Sequence, residues 1–565
     1  MEKWVVSAKR ADFQKIAQRF GIDPVTARLI RNREVVTEEE INLYLYGTIQ
    51  DLPSPWLLKD MKKAVDILER KIQDNKSIRI IGDYDIDGVT ATCILLKGFR
   101  RLGARVDTYI PDRIADGYGL HMPLIEKADQ NGIDTIVTCD NGIAAIKEIE
   151  EAKRRGMTVI VTDHHEIPFE DKDDIREYHI PAADAVINAK QLDCTYPYKN
   201  ICGAVAAWKL ICALYERFGV PEYEKFDYLE LAAMATVGDI MDLQGENRIL
   251  VKEGLKKFPH TLNYGLQALM RANDLKDRIT AYHIGFVLGP CINASGRLDT
   301  AARSLELLMA ESPDRAAEIA GDLKALNESR KALTELGKEE AFRLVEETDL
   351  KNDRVLVVFP PDCHESLAGI IAGKVREKYN KPTFVLTRAE QGIKGSGRSI
   401  ESYSMYEEMV KCSEYMTQFG GHPMAAGLSM KEEQIEGFRR KLNQVCTLTE
   451  DDLSPKITID VPMPISYVNR KVIGELSLLE PFGKANTTPL FAQKDVQVVR
   501  GKVIGKNQNT ARFQLLDSAG NCIDAIRFGD GPEFLKYAQE KGRISVTYYP
   551  EINSFMGRET LQVTV

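Results

Sequence analysis

From Ser77 onward short apolar runs alternate with amphipathic stretches, and this alternation leaves few architectures open. SIRIIG, ARVDTYIP, DTIVTC, MTVIVT and DAVINAK have strand length and strand character. Between them, VTATCILLKGFRRLG, HMPLIEKADQNG and IAAIKEIEEAKRRG carry apolar residues at helical spacing. That order predicts βαβ units around a mostly parallel sheet. Two further helices are expected over GAVAAWKLICALYERFG and YLELAAMATVGDI.

A chain of 565 residues is too long for one core and predicts three or four domains. The first 55 residues read as short helices without identifiable chemistry. Ser312-Pro313 forms an N-cap followed by proline at the first helical position. The charged stretch from there to Glu347 is expected to be one long helix bridging two domains. A second α/β pattern begins at Asp353 with RVLVVFP, SLAGIIAGKVREKYN, PTFVLTR and GIKGSGRS, and ends near Cys446. TEDDLSP reads as a linker. The short alternating runs VQVVRGKVI, ARFQLLD, CIDAIRF, RISVTYYP and TLQVTV predict a small all-β module, a five-stranded barrel.

Composition is that of a soluble globular protein, 44% hydrophobic and 28% charged. No apolar run is long enough for a membrane helix, and MEKWVVSAKRADF lacks a signal-peptide core, so a cytoplasmic location without a membrane partner is expected. Ten scattered cysteines form no CxxC pair, which disfavours a thiolate zinc site. The net charge of −9 argues bluntly against nucleic acid, but it is uneven. Residues 455–565 hold 14 Lys and Arg against 11 Asp and Glu, so the rest of the chain carries −12.

Three predicted strands of the first domain run into acids: Asp83, Asp85 and Asp87 after SIRIIG, Asp140 after DTIVTC, and Asp163-His164-His165 after MTVIVT. In a parallel sheet these carboxyl ends share the edge where ligands bind. Taken singly, each aspartate reads as readily as a helix N-cap, and a lone histidine pair as structural. Together, five carboxylates and two imidazoles in one crevice repel unless cations hold them. Oxygen ligands with one or two imidazoles suit Mn²⁺ or Mg²⁺, and two such ions about 3.5–4 Å apart form a clamp for phosphoryl chemistry.

DYDIDGVTAT, TCDNGIAA, VTDHHEIP and TVGDIMDL resemble the four motifs of the DHH phosphoesterase superfamily. PDRIADGYGL, INASGRLD, HESLAGIIAGKV, SGRS, GGHPMAAG and LEPFGKANTTPLF are further similar to the RecJ family of single-strand-specific 5′→3′ exonucleases. The resemblance runs from about Trp56 to the C-terminus. It implies a DHH domain over 56–302, a connecting helix over 303–348, a DHHA1 domain over 349–447 and an OB-fold over 455–565, behind a helical segment 1–55. It also implies that Asp85 and Asp87 ligate metal, Asp140 bridges two ions, and His164 and Asp239 complete the shell. His165 then faces the scissile phosphate, and Asp163 supports the histidines. Ile81 occupies the position where some superfamily members have a ligand histidine, and Asp83 is the candidate substitute.

The resemblance assigns Arg297, Ser396 and Arg398 to the 5′-terminal phosphate, and places His422 of GGHPMAAG in the DHHA1 domain facing the metal site, as a further candidate for phosphate or strand binding. Small residues around them suggest tight turns that admit phosphate oxygens. Tyr118 is a candidate base-stacking residue, and Phe482 with the Lys and Arg residues of RGKVIGKNQNTAR are candidates for contact with the strand. The implied activity is two-metal hydrolysis of single-stranded DNA to 5′-mononucleotides, in repair and recombination. The implied setting is a monomer working with single-strand-binding protein and a recombination helicase. Alternatives are a phosphodiesterase for very short oligonucleotides or cyclic dinucleotides, a pyrophosphatase of the superfamily, and a strand-binding relative without catalysis.

Overall fold

The computed structural model describes residues 2–565 apart from 114–115, 118, 173–174, 390–391 and 556. Tyr118 lies outside the described residues. The five apolar runs of the first domain form a wholly parallel sheet. Its order is Arg105–Tyr109, Ser77–Ile81, Thr135–Cys139, Thr158–Thr162 and Ala185–Ile187. Both faces of this sheet are covered over its three inner strands, which are buried almost throughout rather than alternating; the edge strand Arg105–Tyr109 keeps Arg105 and Asp107 exposed. The strand order reverses between Ser77–Ile81 and Thr135–Cys139. Such a switch point opens a crevice at the carboxyl edge of a parallel sheet, and Asp83–Asp87 and Asp140 leave their strands on its two sides.

The helix Gly203–Arg217 packs against Ile86–Arg101 so closely that a Cβ on Gly98 would meet Ile211 at 2.4 Å. One helix spans Pro313–Glu347, capped at its start by the Ser312 side chain. At 35 residues it is about 50 Å long. Its first half buries Ala316, Ile319, Ala320 and Leu323 in the core of the first domain, and its second half buries Ala341 and Val345 against the second. That division explains its polarity: each half has only a narrow apolar stripe. The second domain has a five-stranded mixed sheet, in which Leu356–Val358 and Thr383–Ala389 pair parallel and the other pairings are antiparallel.

The C-terminal module closes into a barrel because the long strand Phe491–Ile504 pairs with both Thr510–Leu516 and Ile544–Phe555. Cys522–Arg527 and Arg558–Thr564 complete the five strands, and the short strand Val461–Pro462 adds to the edge. Register shifts in Phe491–Ile504 let one strand turn from one partner to the other.

The N-terminal segment differs from the helical expectation in two ways. Lys3–Val6 is a strand, paired parallel to Lys456–Ile459 beside the linker. Its helices share a core with the barrel: Leu29, Ile30, Tyr44 and Leu45 pack with Val472, Phe491 and Phe513. The buried Glu475 carboxylate accepts from Asp23 N–H and Thr26 Oγ1, both at 2.7 Å. Arg248, from the first domain, donates to the carbonyls of Leu478 and Glu480 and lies 4.0 Å over the Tyr44 ring. The segment thus helps fix the barrel to the first domain. Its residues carry no local sign of this because their partners lie more than 200 positions away.

Candidate metal centre and phosphate pocket

Seven of the eight predicted acids and histidines sit at the crevice with their side chains turned toward one another, and Asp163 lies just behind them. Asp85 is the N-cap of the Ile86–Arg101 helix, and its Oδ1 accepts from the amides of Asp87 and Gly88. Asp87 is fully buried, and its carboxylate takes both leading amides of the next helix, Gly203 at 2.6 Å and Ala204 at 2.8 Å. Asp239 stands at the C-terminus of Leu229–Gly238. Asp140 caps no helix; its φ of 61° is unusual for a residue with a side chain. Backbone strain of this sort marks sites where the surrounding structure over-determines a conformation. The next turn needs Gly142, at φ 110°, where a Cβ would strike Thr138 Oγ1 at 2.5 Å.

His164 Nε2 lies 3.0 Å from Asp140 Oδ1, 3.6 Å from Asp87 Oδ2 and 3.7 Å from Asp239 Oδ2. Neighbouring ligands on an octahedral ion with bonds of about 2.1 Å sit about 3 Å apart, so these four side chains have the spacing to share one ion. Asp83, Asp85 and Asp140 form a second group with ligand atoms within 4.8 Å of one another. Asp140 borders both groups, as a bridging ligand must. Asp83 Oδ1 is buried without a hydrogen-bond partner, which fits an oxygen donor awaiting a cation. Ile81 is wholly buried within its strand and offers no ligand.

Burial and mutual repulsion dominate the electrostatics. Desolvation, then the charges of Asp87, Asp85 and Asp83, push the Asp140 carboxyl well above the carboxylate range. Burial and Asp85 do the same to Asp83, and burial with Asp87 and Asp85 pushes Asp239 up to about 8. Burial holds His164 neutral, down to about 4, as a metal-ligating imidazole requires. Divalent cations relieve this crowding, so the donor set fits the Mn²⁺ or Mg²⁺ expected from sequence.

Both oxygens of Asp163 are engaged. Its Oδ2 takes Ile143 N–H, and its Oδ1 takes the amides of His164 and His165 and the ring Nδ1 of His165 at 2.8 Å. Burial opposes its charge, but these contacts overcome the penalty and bring it to about 2. Burial likewise disfavours a charged His165, yet the Asp163 hydrogen bond and nearby carboxylates push it up to about 9. The two histidines therefore have opposite electrostatic characters: His164 is neutral and faces the carboxylates, whereas His165 is cationic, and its side chain is 39% exposed.

Arg297, Ser396 and Arg398 line one cavity of about 470 Å³, together with Arg113, Lys394 and Gly369. The turns expected around them are absent. Arg297 ends the helix Gly289–Leu298. Gly296 is small there because a Cβ would meet the Tyr84 carbonyl at 2.3 Å. Ser396 and Arg398 belong to the strand Gly392–Arg398, where period two puts Lys394 on the same face. Gly395 and Gly397 make room for Leu386 and Phe384 rather than for phosphate. His422 is exposed at the end of its strand and is not among the cavity residues. Burial, then neighbouring guanidinium groups, lowers Arg297 to about 10 and also lowers Arg398. An anion in the cavity relieves that repulsion.

Sequence reading missed Arg113, Lys394, Asn141, Asn293 and Gly203. Arg113 lines the cavity and lies 4.7 Å over the ring of Tyr84, the residue between Asp83 and Asp85. Asn141 ties the ends of two strands by donating to Ile81 and Cys139 carbonyls, and Asn293 accepts from Ile86 N–H. Only Lys394 had a usable signal, its spacing of two from Ser396.

Family models match the chain along its length: the DHH family N-terminal domain over 77–236, the DHHA1 domain over 352–448 and the RecJ OB domain over 459–565. The single-stranded-DNA-specific exonuclease RecJ of Haemophilus influenzae is 31% identical, with 96% of this chain and 95% of that one aligned. The chain belongs to the RecJ family. RecJ of Bacillus subtilis is 32% identical over the whole chain and 70% of its own length. Among solved structures, RecJ of Thermus thermophilus in complex with Mn²⁺ superposes with a TM-score of 0.83 at 27% identity, covering all of this chain and 78% of that one. The same RecJ with Mg²⁺ gives 0.77 at 26% identity. Among the described residues no helix is long and apolar enough to cross a membrane.

Proposed function

We propose that this chain is a metal-dependent exonuclease that hydrolyses single-stranded DNA from its 5′ end and releases 5′-mononucleotides. One observation carries the 5′ polarity: the arginine-lined cavity adjoins the metal centre, with Arg113 lining the one and lying over Tyr84 in the other. A terminal phosphate held by Arg297, Ser396 and Arg398 leaves the following phosphodiester to face the acids. Arg binds phosphate oxygens in pairs, and the site is already short of anions.

Asp83, Asp85 and Asp140 would hold one divalent ion, and Asp87, His164, Asp239 and Asp140 the other. When bound, these ions supply Lewis acidity toward the phosphate and toward the attacking water. The chain's own residues do the remainder. His165, locked by Asp163 at Nδ1, presents its cationic ring to a non-bridging phosphate oxygen and offsets charge growing there. The 3′-oxygen leaves, and the freed nucleotide keeps its 5′-phosphate.

A groove of about 1670 Å³ lies between the catalytic domain, the long helix and the barrel entrance, and meets the phosphate cavity at Arg297 and Ile370. Lys252, Lys256, Arg278, Arg330 and Lys484 outnumber Asp277 and Glu480 along it, against the acidic balance of the chain. Tyr282 and Phe286 stack at 4.9 Å and are 63% and 69% exposed, and Phe482 lines the same groove. Charge tracking a backbone and aromatic faces open to bases suit a single strand of any sequence. The basic run on the barrel, Arg500 to Arg512, is not among the groove residues. In the cell this reading makes the protein a cytoplasmic monomer acting in repair and recombination beside single-strand-binding protein and a recombination helicase.

Asp140→Ala tests the assignment. It should lower cleavage of single-stranded DNA by roughly a thousandfold while leaving strand binding intact. Unchanged cleavage would overturn the site.

A further inference from the structure

The catalytic reading accounts for the acids and histidines but not for the residue on which two of them rest. The helix Gly203–Arg217 has no side-chain cap of its own at Cys202. Its first two amides instead point into the metal centre and close on Asp87, at 2.6 Å from Gly203 and 2.8 Å from Ala204. On its other side Gly203 touches Asp140. A Cβ on Gly203 would come within 2.6 Å of Asp140 Cβ and 2.8 Å of both Asp140 Cα and Oδ1. Contacts that short essentially never occur, so something would have to shift.

We propose that Gly203 is a positioning residue of the metal centre: its missing side chain sets how closely Asp87 and Asp140 approach. The proposal rests on these two acids being ligands. Neither neighbour can yield cheaply. Asp140 is held at φ 61° by its strand end and by its amide on the Thr162 carbonyl. The helix cannot retreat, because it is buried along its length and its amides are tied to Asp87. Asp87 belongs to the group with His164 and Asp239, and Asp140 to the group with Asp83 and Asp85. Gly203 thus stands where the two groups meet, and a methyl group there would wedge them apart. Sequence alone shows only a glycine opening a helix, a position that any small residue would fill.

The test compares full-length parent, Gly203→Ala and Gly98→Ala proteins, each stripped of metal and titrated with Mn²⁺ by calorimetry and electron paramagnetic resonance. Gly98→Ala overpacks the same helix pair at Ile211, away from the acids. We expect Gly203→Ala to lose tenfold or more in Mn²⁺ affinity and to lose the spin-coupled signal of paired ions. Gly98→Ala should bind as the parent does, whatever its melting temperature. Parental Mn²⁺ affinity and coupling in Gly203→Ala would overturn the proposal. A parent that takes up no Mn²⁺ would instead sink the metal-site reading, and the proposal with it. Should Gly203→Ala fold poorly, melting of the metal-free proteins gives a second readout. Asp140→Gly removes two of the three obstructing atoms, Cβ and Oδ1, and relieves the positive φ that holds Cα in place, so the cost of Gly203→Ala should shrink in that background. An equal cost in both backgrounds would also overturn the proposal.

Discussion

At the scale of residues, the adjacent histidines divide two tasks because one aspartate holds both. Asp163 fixes their amides and the His165 ring through Oδ1, while its Oδ2 holds Ile143 N–H. Asp163→Asn should cut activity by about 10–100-fold with metal still bound, the scale for losing a group that orients others. It should also move the alkaline limb of the pH–rate profile downward, since the hydrogen bond to Asp163 helps hold His165 at about 9. A profile unmoved by the substitution would remove Asp163 from this role. The acids make a separate prediction for metal-free protein. Asp239 stays protonated in the fold up to about pH 8, whereas in an unfolded chain it ionises near 4. The native state then binds more protons across that window, and stability falls as pH rises through it. Mn²⁺ should therefore raise the melting temperature more at pH 8 than at pH 5, and should release protons on binding. A stabilisation independent of pH would contradict the crowding described for this centre.

At the scale of elements, the strand ends were legible because three buried parallel strands that all stop at acids have few explanations. Apolar runs fixed where Ser77–Ile81, Thr135–Cys139 and Thr158–Thr162 end, and the acids followed directly. Asp239 was different: a helix C-terminus looks alike whether it meets metal or water, and only family resemblance singled it out. INASGR and SGRS misled for a physical reason. Glycines in such runs suggest turn chemistry, but Gly296, Gly395 and Gly397 are demanded by close packing inside regular elements. Packing of that kind leaves no local mark in the sequence. The correction sharpens a prediction. Because Ser396 and Arg398 share one face of a rigid strand, Arg398→Ala should weaken use of 5′-phosphorylated strands by roughly tenfold or more, the worth of one charged hydrogen-bonding contact. Strands with a 5′-hydroxyl should be affected far less. Equal losses on both, measured as kcat/KM, would take Arg398 out of the phosphate pocket.

At the scale of the whole molecule, the long helix and the barrel define a groove that neither domain has alone. The alternation of elements made two α/β regions, the helix between them and the small β-module readable. Contacts between distant segments were not, and these include Arg248 on the barrel carbonyls and the N-terminal helices in the barrel core. The groove is where strand selectivity belongs. Tyr282→Ala and Phe286→Ala should each weaken single-strand binding by about 1–3 kcal/mol, the worth of one base–aromatic stack, without changing cleavage of the shortest substrates. The central claim concerns direction and strandedness together, and a time course of end-labelled DNA with Mn²⁺ tests it most directly. The account predicts that 5′-labelled single strands release labelled mononucleotide at the earliest times. Strands labelled at the 3′ end should shorten one nucleotide at a time, and blunt duplex should persist. Internal cuts, early release from the 3′ end, or equal digestion of duplex would contradict it.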